Sequence, residues 1–262
     1  MILSRRVALN SQQLDQVDSS IVIRSIDPGA PRKTVQTVSR MGGFGQRITG
    51  QHWESIDVTV TYAIDIPKKQ MDDRREVFDK VNAWAMASGW LTVNYMSGMR
   101  LYVDSVTIPS SADLWNWTEE FTITFSAHEV PFWQKTTATT KALATTDSGS
   151  GTITVTGTAP TVCSAEIKNE SGANIDTMSI QIGRSSMAFS SLGLANNETL
   201  VISHADNGTL SIRIRNGSAY RTAMDKRTGG SADDLYVNPG SNLITITGGT
   251  VSASISCYGR YV

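Results

Sequence analysis

Three histidines (His52, His128 and His204) and two cysteines (Cys163 and Cys257) are the side chains in this 262-residue sequence best suited to metal or nucleophilic chemistry. Their spacing argues against both. There is no His-x-x-x-His and no close Cys/His cluster of the kind that holds zinc. His204 and Asp206 stand two apart in an Asn/Gly-rich stretch and read as a polar turn pair. No Gly-x-Ser-x-Gly elbow presents a nucleophilic serine. Glu119-Glu120 and Asp233-Asp234 are adjacent pairs, and neighbours on a strand point to opposite faces. A glycosidase pair would therefore have to come from carboxylates distant in sequence. The glycine-rich Met41-Gly-Gly-Phe-Gly-Gln-Arg47 lacks the Gly-Lys-Ser/Thr ending of a phosphate loop, and no βαβ pattern surrounds it. It reads instead as a long loop between strands, a place that often carries contacts. Cys163 alternates with Ala165 and Ile167, and Cys257 with Val251, Ala253 and Ile255, so both read as reduced core residues. Four Asn-x-Ser/Thr sequons begin at Asn169, Asn197, Asn207 and Asn216 and read as turn composition. The expectation is no catalysis, no metal and no cofactor.

The elements that would position any site follow from composition. Hydrophobic residues make up 40% and charged residues 18%, enough to build cores. The net charge is -1, and neither half has a basic excess, which argues against a nucleic-acid-gripping surface. No apolar run approaches a membrane span, and the start shows no signal peptide. The expected compartment is a cytoplasm, with release by lysis.

All six tryptophans lie before residue 135, and a Thr/Ser/Ala/Gly-rich stretch follows. We place the domains at 1–134 and 151–262, with 135–150 as a linker or edge segment. In the first, Trp53 to Ile64 alternates, with Ile56, Val58, Val60, Tyr62 and Ile64 on one face. Phe121, Ile123, Phe125 and Ala127 repeat the pattern, and Leu91–Tyr95 and Arg100–Asp104 flank a hairpin turn at Met96-Ser-Gly-Met99. One helix lies between, with Met71, Phe78, Val81, Trp84 and Ala85 on its apolar stripe, Asp72 to Glu76 on a solvated face, and Gly89 as its stop. The second half carries short strands at 152–156, 161–168, 177–182, 199–203, 209–215, 243–247 and 251–258, separated by Gly, Asn, Asp and Pro. That is the pattern of a β-sandwich or jelly roll.

The order of these features resembles the distal tail (Dit) proteins of long non-contractile-tailed (siphovirus) phages and prophages. The resemblance rests on the glycine-rich loop at 41–50, the strand Trp53-Glu-Ser-Ile-Asp-Val-Thr-Val-Thr-Tyr62, the single helix with Arg74, Arg75 and Trp84, and the hairpin 91–103. It rests also on Phe121-Thr-Ile-Thr-Phe-Ser-Ala-His-Glu-Val-Pro-Phe-Trp133 and on Leu235-Tyr-Val-Asn-Pro-Gly-Ser-Asn-Leu-Ile-Thr-Ile246, and it covers essentially the whole chain. It implies a mainly β protein: a tail-tube-like belt domain with one helix, then a galectin-like β-sandwich. It implies a hexameric ring at the distal end of the virion tail, a baseplate hub that joins the tail tube to the tail-tip hub or tail-associated protein. Such a ring has a central channel for DNA and can carry receptor-binding proteins for host adhesion. By its position the loop Arg40, Gly42, Gly43, Phe44, Gly45, Gln46 and Arg47 corresponds to the family's inter-subunit loop, with Phe44 as an anchor and Arg47 as an ion-pair donor. The second domain has no room for the large insertion of some members and contains no tryptophan to stack on a sugar. Three other readings remain open: a carbohydrate-binding attachment protein through the C-terminal sandwich, a tail-tip glycan hydrolase, and a tail-tube protein.

Overall fold

The structure is a computed structural model that describes residues 5–39, 46–115, 119–145 and 148–262. The chain divides into two compact units, residues 1–133 with Val262, and residues 134–261.

The first unit begins with β1 (Val7–Leu9), β2 (Gln12–Gln13), β3 (Ile21–Asp27), β4 (Lys33–Ser39), β5 (Gln46–Trp53) and β6 (Ile56–Ile64). The helix α1 (Met71–Ala85), β7 (Gly89–Val93), β8 (Met99–Val103), β9 (Ser105–Thr107), α2 (Ser111–Trp115) and β10 (Glu120–Ala127) follow. Four strands form a sheet in the order β3-β6-β10-β9, and β2, β1, β7 and β8 are neighbours in a second. β6 and β10 pair antiparallel with Phe121 opposite Tyr62 and Phe125 opposite Val58. Their alternation therefore puts β-branched and aromatic side chains on one buried face. The helix covers that face: Phe78 meets Phe121 edge-on at 5.3 Å and Trp84 meets Phe125 at 5.9 Å. The hairpin β7–β8 turns through Gly98, whose φ of 73° lies in the region that favours glycine.

Three local expectations are corrected here. Arg74 is not on a solvated face. It is 4% exposed, and its guanidinium donates to the carbonyls of Ile64 (3.1 Å) and Ile66 (2.9 Å), holding the segment that leads into the helix. The helix ends at Ala85 with Met86 as its cap, and Gly89 starts β7 instead of stopping the helix. Trp53 closes β5 and is not the start of β6.

The second unit takes up the end of β11 (Trp133–Lys135), then β12 (Thr139–Thr145), β13 (Ser148–Val155), β14 (Thr161–Asn169), β15 (Met178–Ile182), β16 (Ser185–Phe189) and β17 (Thr199–His204). It continues with β18 (Leu210–Asn216), β19 (Ala219–Thr222), β20 (Tyr236–Val237), β21 (Gly240–Thr247), β22 (Val251–Cys257) and β23 (Arg260–Tyr261). One sheet runs β12-β22-β14-β17-β18-β19, with β20 also on β14, and the other runs β13-β21-β15-β16. Inward residues of both sheets, among them Ile167, Ile202, Ile212 and Ile255 with Ile153, Ile180, Ile244 and Ile246, form one buried cluster. This is a β-sandwich, and the chain as a whole is mainly β. Residues 135–150 carry β12 and the start of β13, each the outermost strand of its sheet. Threonine suits an extended backbone, and small side chains suit a strand with little to bury.

Candidate assembly interface

Among the described residues β4 and β5 pair only with each other and form a separate two-stranded ribbon. Its base is well fixed. Gly29 has φ 61°, and a Cβ there would collide with the Asp57 carbonyl, so the turn into the ribbon requires glycine. Asp27 accepts from the Gly29 N–H at 3.0 Å, and the Glu54 N–H donates to the Arg32 carbonyl at 2.8 Å. Trp53 packs edge-on against Phe132 at 5.2 Å, with the Lys33 ammonium 5.9 Å over its ring.

Beyond that base the ribbon buries almost nothing. Val35, Val38 and Ile48 are 43%, 57% and 54% exposed. Cross-strand partners share a face, so Thr37 opposite Ile48 and Val35 opposite Gln51 place Val35 and Ile48 on one side. Val38, opposite Arg47, takes the other. A free two-stranded ribbon is only marginally stable in water, and its exposed edges and branched apolar side chains invite pairing. The described ribbon carries Lys33 and Arg47 and no carboxylate. Of the residues expected to form an inter-subunit loop, Gln46 and Arg47 lie in β5, so the segment 46–50 is strand and not loop. Arg40, Gly42, Gly43, Phe44 and Gly45 lie outside the described residues.

His52 and His128 lie in the first unit, where the His128 Nδ1 is 2.6 Å from an Asp104 carboxylate oxygen, and His204 and both cysteines lie in the second. His204 does not pair with Asp206. Its Nε2 sits 2.8 Å from both carboxylate oxygens of Asp234, and its Nδ1 is 3.3 Å from the Ser164 hydroxyl. The sequence does not show this Ser-His-Asp chain, because Asp234 is 30 residues from His204 and Ser164 is 40. Its geometry is that of a part-buried polar network. Ser164 stands within a strand whose backbone is paired, opposite Ser256 of β22, and offers no turn of free N–H groups to hold an oxyanion. Glu198 forms a second network: it accepts from Arg221 at 2.6 and 2.7 Å, from Asn216 at 3.2 Å and from the Ala195 N–H at 3.0 Å. The Arg221 guanidinium holds the Glu198 carboxyl below its ordinary value against the opposing pull of burial. Among the described residues no group of three or more His, Cys, Asp or Glu could hold a metal, and no helix is long and apolar enough to cross a membrane.

No protein-family model and no curated protein matches the sequence. Solved structures do. Two phage P2 baseplate structures, in the activated conformation with Ca and with Sr, align over 98% and 96% of this chain and 99% and 97% of theirs, at 7% and 8% identity, with TM-scores of 0.47 and 0.46. The SPP1 Dit protein, described as a paradigm of the hub adsorption apparatus in Gram-positive infecting phages, aligns over 98% of this chain and 99% of its own. The identity is 12% and the TM-score 0.69. Both units, taken together, thus have the fold of a phage distal tail (Dit) protein.

Proposed function

We propose that this protein is a structural subunit of a phage tail tip, a hub that closes into a hexameric ring around a channel for DNA. The ring joins the tail tube on one side to the tail-tip hub protein and the host-adhesion device on the other. The observation that carries this reading is the fold shared with the SPP1 Dit hub protein over both units. The β4–β5 ribbon supports it physically. A subunit in a closed ring needs two different, complementary faces, one of which reaches into its neighbour. An arm with exposed Val35, Val38 and Ile48, two cationic side chains and no carboxylate is stabilised when a second copy covers it. The chain does no chemistry in this role; the work is done by surface burial between copies.

Sedimentation and native mass across a concentration series test this proposal. The expected species is a hexamer that dissociates on dilution and is lost when Ile48 is replaced by Asp. A strict monomer at every concentration refutes self-assembly through this arm.

A second reading, sugar binding by the second unit, is favoured by one feature. The outer face of the longer sheet carries a groove of about 210 Å³ lined by Thr140, Ser164, Glu166, Ser203, Ser254 and Ser256. Tyr220 and Tyr236 are more than half exposed in the same unit. A glycan array giving sugar-dependent signal that Tyr220→Ala abolishes would favour it over a purely structural role.

A further inference from the structure

Cys163 and Cys257 are directly opposite one another on the neighbouring antiparallel strands β14 and β22. Both are free, and both face the core, at 0% and 1% exposure. The backbone gives the type of pairing. In an antiparallel ladder the N–H and C=O of one residue point to the same side. The Cys163 N–H donates to the Leu235 carbonyl at 3.0 Å, on the side away from β22. The two cysteines therefore form a non-hydrogen-bonded pair, the closer kind, with Cα atoms typically about 4.5 Å apart. A disulfide needs Cα atoms roughly 4.4–6.8 Å apart with side chains on the same face. Register, face and pair type all meet that requirement without backbone movement.

Packing alone does not call for two thiols here. The next inward pair along the same strands, Ala165 opposite Ile255, fills its layer with ordinary apolar groups. We propose that Cys163 and Cys257 are a redox-responsive pair that closes into a cross-strand disulfide and staples β14 to β22 inside the second unit. This does not rest on the hub reading. The oxidant is a small-molecule disulfide. One cysteine thiolate attacks a sulfur of the reagent, its S–S bond breaks, and one thiolate leaves. The second cysteine then displaces the other half and forms the protein S–S bond. Two small thiols are released and take up the two cysteine protons, so the protein is oxidised by two electrons and the reagent reduced by two.

The contact with Cys257, and after it burial, push the Cys163 thiol up, with the Asp234 carboxylate acting in the same direction. Both cysteines are sealed in the core, so a reagent reaches them only on transient opening of the unit. Once formed, the link closes a loop of about 95 residues and constrains the unfolded chain strongly.

The full chain would be taken through thermal unfolding and refolding with oxidised glutathione at pH 8. It would then be alkylated under denaturing conditions and its intact mass and peptide map recorded. Both cysteines should escape alkylation together, with a Cys163–Cys257 linked peptide. The unfolding midpoint should rise by about 5 °C or more relative to the reduced protein. The Cys163→Ser/Cys257→Ser double variant should show no difference between oxidising and reducing conditions. The single variant Cys257→Ser should carry glutathione on Cys163. Two alkylatable cysteines after this treatment, cross-linked dimers instead of the internal link, or a linked protein with no rise in midpoint would overturn the proposal.

Discussion

Two buried side chains show how individual residues shape the stability of each unit. Tyr62 is wholly buried in β6 against Phe121, and its hydroxyl has no hydrogen-bond partner among the described residues. Burial pushes its phenol up, so it stays neutral, but the O–H has given up water for nothing in return. Tyr62→Phe should therefore be neutral or stabilising by up to about 1 kcal/mol, read from urea unfolding at unchanged m-value. A loss of that size would mean the hydroxyl is bonded after all. Glu198 is the opposite case, a buried carboxylate held low by Arg221. A group whose folded pKa is depressed contributes stability that is fully present above the unfolded value, about 4.3 for glutamate, and is lost as pH falls through the folded value. Unfolding of the second unit should become easier below about pH 4.3, and Glu198→Gln should remove part of that acid dependence while costing stability at pH 7. Parallel acid profiles for the two proteins would contradict the assignment.

At the level of elements, the ribbon is the part whose design the isolated chain does not explain. Aspartate at Ile48 or Val38 removes no buried contact, so the melting of the subunit should change by no more than about 0.5 kcal/mol. The same changes place a carboxylate where a partner would have to desolvate it, so assembly should weaken at least tenfold in concentration. A variant that unfolds the subunit would show that the ribbon packs on its own unit. The elements also differ in how far the sequence reveals them. β6, β10 and α1 declare themselves because each buries one face, so hydrophobic periods of two and 3.6 survive in the letters. The ribbon is invisible for the same reason: with both faces exposed it has no alternation, and Gly50 reads as loop. Arg74 looks solvated because no local pattern shows that a guanidinium will meet the carbonyls of Ile64 and Ile66. β16 and β19 go unread because Ser185–Phe189 and Ala219–Thr222 are short and mostly small or polar. The link between His204 and Asp234 is made only by folding, since β20 brings residue 234 beside β14.

For the whole molecule, the order of elements is more informative than any motif. At 12% identity to the SPP1 Dit protein, few individual residues are shared, yet the two folds align over 98% of this chain with a TM-score of 0.69. Packing rules preserve such an order while the letters drift, because a core accepts many sequences of matching pattern and volume. The proposed hub role is a claim about how copies of this fold close on one another. Electron microscopy of the purified protein at high concentration tests that claim most directly. Discrete six-fold rings with an open centre, single or in back-to-back pairs, are expected. Open-ended tubes of stacked rings would identify a tube subunit instead of a hub, and a field of single particles with no ring would contradict assembly outright.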